Sequence, residues 1–124
     1  MKTLGLLAGF LCSLLSGCGG SGLVAMNPDI DIELINKSSK DLRNAEVHFG
    51  EKTCEWGNVG RTFTAIYLFY PHPITLHTEL SWDEGGKHRA KKVDLSKIYP
   101  PGKSGQLTFT VYDDRVEVTF REQP

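Results

Sequence analysis

Apolar and polar residues alternate with a period of two along most of the chain after residue 28. The first such stretch covers residues 29–35, in which every second residue is apolar and the residues between are mostly acidic. This period predicts a β-strand with one buried face and one solvated face. The pattern recurs, and it predicts further strands at 45–49, 53–56, 61–70, 74–82, 87–93, 107–111 and 116–120.

Helical periodicity is missing from the same stretch of sequence, apart from a candidate single turn at 95–98. About seven or eight short strands, separated by turn signals, are typical of a small sandwich or barrel. The sequence therefore predicts one all-β domain over residues 29–122. We expect an antiparallel, Ig-like or fibronectin-III-like β-sandwich, without the Cys…Trp…Cys framework of antibody domains.

Two hairpins follow from turn chemistry. The run 83–86 (Asp-Glu-Gly-Gly) predicts a tight turn before a basic strand. A two-residue turn at Asp113 and Asp114 puts the apolar residues of the two last strands on one side of the sheet. The pairs that this register predicts are Val111 with Val116, Phe109 with Val118, and Leu107 with Phe120.

The segment 61–70 is the most apolar part of this domain, and its alternation fails because both faces from Ile66 to Tyr70 are apolar. One interpretation of residues 67–73 is a central strand that is covered on both faces, in part by the N-terminal tether. The other is an exposed patch for a protein partner, since aromatic residues are enriched at interfaces. The candidate partner patch covers residues 67–73, with Tyr67, Phe69, Tyr70 and His72 as the proposed contact residues.

The N-terminal residues have a different pattern. Lys2 precedes a short apolar run at 4–15, which is too short to span a bilayer but is typical of a secretory signal peptide. The run ends in Leu15-Ser16-Gly17-Cys18, which resembles the lipobox of bacterial lipoproteins. The resemblance implies a signal peptide at 1–17, a diacylglycerol thioether and an acylated amine on Cys18, and a Gly/Ser-rich tether at 18–28. Gly19, in place of an Asp, favours the outer membrane of a Gram-negative host.

Net charge and the cysteines restrict the classes of partner and of chemistry that we expect. The net charge of −1 argues against a nucleic-acid partner. Of the three cysteines, Cys12 would leave with the signal peptide and Cys18 would carry lipid, so Cys54 stays alone. We expect Cys54 to be a small buried hydrophobic residue, with an intermolecular disulfide or a reactive thiol as the alternatives.

The sequence shows no catalytic constellation. A Gly-x-Ser-x-Gly elbow and a phosphate-binding glycine loop are both missing. The four histidines are scattered, and His77 with Glu79 makes at most half of a metal site. We therefore predict no catalytic residues, no cofactor and no metal. A deep pocket that gathers two of His48, His72 and His77 with carboxylates would favour an enzyme instead.

A basic strand is the last feature that bears on function. It carries Lys87, Arg89, Lys91 and Lys92. Lysines often protect an edge strand from pairing with another sheet, and this is the favoured interpretation. The alternative is contact with anionic lipid headgroups near the anchor.

These features predict a membrane-anchored lipoprotein of the bacterial envelope that acts as a non-enzymatic interaction module, facing the periplasm or the cell surface. Its partners would be the membrane, through the lipid, and an envelope protein. A structural accessory subunit of a secretion, pilus or envelope assembly is one alternative. A cell-wall-directed enzyme or inhibitor is another.

Overall fold

The structure, a computed structural model, describes residues 29–123, which form a β-sandwich of two four-stranded sheets. The strands are β1 (Ile30–Asn36), β2 (Leu42–Phe49), β3 (Lys52–Val59), β4 (Thr64–Tyr67), β5 (His77–Glu84), β6 (Lys87–Asp94), β7 (Gly105–Val111) and β8 (Val116–Glu122). One sheet has the order β4-β1-β7-β8 and the other β3-β2-β5-β6. The predicted all-β sandwich is confirmed. The predicted signal peptide, Cys18 and the tether lie outside the described residues.

Five of the six strand pairs in the described range are antiparallel, and the sixth is parallel. The parallel pair joins β1 to β7, with Ile30 beside Gly105 and Asn36 beside Val111. Parallel neighbours need a long connection, and here most of the domain separates the two strands. Alternation within single strands does not reveal such a pairing, so the expectation of a purely antiparallel sandwich needed this correction.

The core lies between the sheets and is filled by the apolar faces that the alternation predicted. In β1, Ile30, Ile32 and Leu34 are all buried. Trp56 of β3 links the two sheets, because its indole Nε1–H donates to the Ile32 carbonyl oxygen at 3.0 Å. Its ring also meets Phe109 edge-on, with the centroids 6.0 Å apart.

Both predicted hairpins are present. Glu84 pairs with Lys87 across Gly85 and Gly86, which have φ angles of 55° and 82°. Positive φ at both central positions is the signature of a type I′ turn, which glycine adopts without steric cost. The β7–β8 register is the predicted one, with Leu107 beside Phe120, Phe109 beside Val118, and Val111 beside Val116.

Several strand boundaries differ from the prediction. β2 begins at Leu42 rather than at residue 45, β3 extends over 52–59 rather than 53–56, β4 covers only 64–67 of the predicted 61–70, and β5 begins at His77 rather than at residue 74. Pro71 and Pro73 lack the N–H groups that a longer strand would need. The residues before His77 still pack against the core, and the Leu76 carbonyl accepts from the N–H of Leu95 at 2.7 Å.

The segment after β6 makes a short turn rather than a strand. The N–H of Tyr99 donates to the Leu95 carbonyl at 2.9 Å, which is a single helical turn of hydrogen bonding. Leu95 and Tyr99 are both buried by it. Within residues 29–123 no helix is long and apolar enough to cross a membrane.

Candidate interaction site

The largest exposed hydrophobic side chains of the described residues all come from one segment, 63–69. We call this set the apolar edge; it comprises Phe63 (67% exposed), Ile66 (47%), Tyr67 (38%), Leu68 (56%) and Phe69 (67%). The segment includes β4, which is an outermost strand of its sheet. The interpretation of this segment as a central strand is therefore wrong, because β4 lies at the edge of its sheet. The proposed cover by the N-terminal tether lies outside the described residues.

A backbone kink at Phe69 decides which aromatic residues are exposed. Continued alternation from Tyr67 would turn Phe69 inward and Tyr70 outward. Phe69 instead has a φ of 53°, which is an unusual conformation for a bulky residue. The Asp31 carboxylate accepts the N–H of Phe69 at 2.9 Å and holds this geometry. The kink turns the Phe69 ring into solvent and directs Tyr70 into the core.

Tyr70 is consequently a core residue and not a contact residue, which corrects its place in the predicted patch. It is 5% exposed, and its ring packs against those of Phe49 and Tyr67 at centroid distances of 5.4 and 5.7 Å. Its hydroxyl is buried without a hydrogen-bond partner among residues 29–123. Burial raises the pKa of Tyr70, and the nearby Cys54 raises it further. The other three predicted patch residues, Tyr67, Phe69 and His72, are accessible.

A hollow of about 290 Å³ lies at the end of the apolar edge where residue 29 enters the domain. Its walls are mostly apolar or aromatic, and they include Phe69, Pro71, His72, Ile74 and Tyr99. The His72 ring stands edge-on to Tyr70 with centroids 5.5 Å apart. Because Phe69 belongs to both features, the hollow continues the apolar edge.

The backbone of β4 offers unpaired groups along its outer side. Hydrogen-bonded and non-hydrogen-bonded pairs alternate in an antiparallel ladder. The N–H of Asn36 donates to the Phe63 carbonyl at 3.0 Å, which fixes the phase of this alternation. By register, Ala65 and Tyr67 then face β1, and the N–H and C=O groups of Thr64 and Ile66 face outward.

Two carboxylates of β1 lie next to the apolar edge on the outer face of the sheet. Glu33 is directly beside Ile66 in the register, and Asp31 lies on the same face of β1, beyond the end of the ladder at Ile32 and Tyr67. Glu33 accepts from the Thr108 hydroxyl at 3.0 Å, and Asp31 accepts from Phe69. Within residues 29–123 neither carboxylate forms an ion pair. Each therefore retains free acceptor positions for a cation.

The basic strand is β6, the outermost strand of the other sheet. Lys87, Arg89, Lys91 and Lys92 are all exposed. Arg89 pairs with Glu84 at 3.1 Å, and Lys92 lies beside Glu79 in the register. This placement matches the interpretation of β6 as a charged, protected edge.

A second depression brings together some of the scattered histidines. It is a broad hollow of about 630 Å³ that opens widely to solvent, and its lining includes His48, His77, Glu79 and Asp94. His48 Nδ1 lies 3.1 Å from the Thr53 hydroxyl. No group of three or more potential metal ligands occurs among residues 29–123.

Cys54 is fully buried and is not in a disulfide. Desolvation, with a smaller contribution from Glu55, raises the pKa of its thiol to about 12. A thiol that stays protonated is a poor nucleophile. The interpretation of Cys54 as a small buried hydrophobic residue agrees with this environment.

No protein-family model and no curated protein matches this chain. A solved structure, described as the NMR structure of the protein from Eubacterium rectale, is similar to it with a TM-score of 0.51 and 13% sequence identity. The similarity covers 77% of this chain and 90% of that one. At this identity the likeness supports the fold alone.

Sequence reasoning pointed to the exposed segment but chose only part of its residues. Phe63 and Ile66 belong to the apolar edge and were not assigned to the patch. The failed alternation over 66–70 was the available signal. A strand with apolar residues on both faces either packs against other elements on both sides or exposes one apolar face to solvent.

Proposed function

We propose that this protein is a lipid-anchored module of the bacterial envelope that binds another envelope protein through the apolar edge. The observation that carries the binding role is the concentration of five exposed hydrophobic side chains on one short segment. Single exposed apolar residues are ordinary, whereas a contiguous group marks an interaction surface. The lipobox-like Leu15-Ser16-Gly17-Cys18 supports the anchor.

The position of the apolar edge is compatible with this role. Residue 29, where the described chain begins, lines the same hollow as Phe69. From Cys18 to residue 29 an extended chain reaches at most roughly 40 Å. A lipid on Cys18 would keep residue 29, and with it the hollow beside Phe69, within this distance of the membrane surface, where a membrane-bound partner is concentrated.

The binding role can be tested by affinity purification from detergent-solubilised membranes. We expect Phe69→Asp to abolish the recovery of a specific partner that wild-type protein retains. Ala90→Asp is a matched control, because Ala90 is also exposed but lies on the opposite edge strand. Equal recovery with Phe69→Asp and wild type would contradict the proposal.

The anchor has a separate test. Cys18→Ser should leave protein that is uncleaved or released from the membrane, as judged by fractionation and mass spectrometry. Membrane-bound protein of full mature size in this variant would refute the lipid anchor, and it would leave the binding role of the apolar edge intact.

A further inference from the structure

We propose that the partner binds as an added strand: an extended segment that pairs with the outer side of β4 and alternates apolar with basic side chains. This inference rests on the proposed binding role of the apolar edge and specifies the partner's chemistry. Addition of a strand to an open sheet edge is a general mode of peptide recognition in which backbone bonds give affinity and alternate side chains give specificity.

The first argument is that β4 is the only unprotected edge among the described strands. Charged residues on outer strands discourage pairing with other sheets. β3 carries Lys52 and Glu55, β6 carries its row of cations, and β8 carries Glu117, Arg121 and Glu122. β4 reads Thr-Ala-Ile-Tyr and has no charge. Within residues 29–123 β4 pairs only with β1, so the outward N–H and C=O groups of Thr64 and Ile66 have no backbone partner and are available to a partner strand.

The second argument concerns side chains on the outer face. Adjacent strands are about 4.8 Å apart, so a residue added opposite Ile66 would be about 10 Å from Glu33, two strands away. A lysine or arginine at that position can lay its methylene stem over Ile66 and bring its charge to the carboxylate. The ladder ends at Ile32 and Tyr67, so Glu33 is the carboxylate that is placed for this contact.

The inner face calls for different residues. Ala65 and Tyr67 point toward the core side of the sheet, opposite Leu34 and Ile32. A partner side chain next to them would meet apolar surface, so it should be apolar. The preferred segment consequently alternates apolar residues inward with basic residues outward.

Other occupants fit less well. A second copy of β4 would place Ile66 against Ile66 and bring no cation to Glu33. A lipid surface would leave the outward backbone groups of β4 without partners, which is costly in hydrocarbon. An extended cationic and apolar segment satisfies the backbone, the apolar side chains and the Glu33 carboxylate together.

The probe for this proposal is a short end-capped peptide that alternates valine and lysine, added to the mature protein and followed by NMR. We expect binding that slows the amide exchange of Thr64 and Ile66. The matching valine–glutamate peptide should bind at least about tenfold more weakly, because like charges across an interface are unfavourable.

Ile66→Pro is the decisive variant. It removes an outward N–H that makes no bond within the sheet, and proline is tolerated at such edge positions. We expect it to abolish peptide binding, whereas Ile66→Ala retains the N–H and should weaken binding only partly. Glu33→Gln should reduce the preference for lysine over glutamate peptides, and Glu79→Gln on the other sheet should not.

Several results would overturn the proposal. These are equal affinity for the lysine and glutamate peptides, unchanged exchange at Thr64 and Ile66, or protection of these amides by self-association or by lipid vesicles without peptide. If Phe69→Asp abolishes recovery of the membrane partner but Ile66→Pro does not, strand addition is wrong and the proposed function stands.

Discussion

The two edge strands β4 and β6 show opposite solutions to the same physical problem. Each ends a sheet and so exposes unpaired backbone groups that could template association. β6 carries Lys87, Arg89, Lys91 and Lys92, which keep other sheets away by charge and hydration. β4 carries no charge and continues into exposed Leu68 and Phe69. Since the same chain protects one edge and leaves the other apolar, the difference is a reason to assign binding to β4.

The largest effect should separate two neighbours on the β4 side. Tyr70→Ala removes a ring that packs in the core, and we expect it to lower the free energy of unfolding by about 3–5 kcal/mol. Phe69→Ala removes an exposed ring and should change that free energy by less than about 0.5 kcal/mol. Urea denaturation measures both.

Tyr70→Phe is the control for this pair. The Tyr70 hydroxyl is buried without a partner in residues 29–123, so its removal should be neutral or stabilising. A large loss of stability in Phe69→Ala would contradict the placement of this side chain in solvent.

The backbone kink at Phe69 separates what the sequence could predict from what it could not. The C-terminal hairpin was predictable to the residue because alternation and turn length agree on one register. The exposure of Phe69 and the burial of Tyr70 were not, since they depend on a positive φ that the Asp31 carboxylate stabilises from another strand. Local alternation carries no information about such a long-range contact. For the same reason the sequence did not reveal the parallel pairing of β1 with β7.

The next effect concerns the core beneath the apolar edge. Folding keeps the Cys54 thiol neutral, with its pKa raised to about 12 from 9.0. Above pH 9 the unfolded chain loses this proton and the folded chain retains it. Stability should therefore fall as the pH rises, at a limiting slope of about 1.4 kcal/mol per pH unit.

Denaturation of wild type and Cys54→Ala between pH 9 and 10 isolates the contribution of Cys54 to the pH dependence of stability, because the tyrosines ionise mainly above that range. Wild type should lose stability faster than the variant as the pH rises. Parallel pH dependences of stability would show that Cys54 is accessible to solvent. The contrast between the exposed apolar edge and a buried core next to it would then not hold.

A smaller effect tests why β6 differs from β4. Replacement of Lys91 and Lys92 by threonine should change the free energy of unfolding by less than about 0.5 kcal/mol, as expected for exposed positions. It should nevertheless make β6 a second edge strand that can pair with other molecules, detected as concentration-dependent association in sedimentation velocity. Lys52→Thr, a single exposed change on β3, is the control. A doubly substituted protein that sediments like wild type would show that these lysines do not protect the edge.

The smallest effect needs no substitution and concerns alternate residues of β4 itself. The amides of Ala65 and Tyr67 face β1, whereas those of Thr64 and Ile66 face outward. Hydrogen exchange of the free protein should therefore be slow at the first two and fast at the other two, since exchange follows local hydrogen bonding. Protection at all four would mean that β4 is already paired, either with residues that precede the domain or with a second copy. The outward backbone groups of β4 would then not be free, and β4 would differ from β6 only in its exposed apolar side chains.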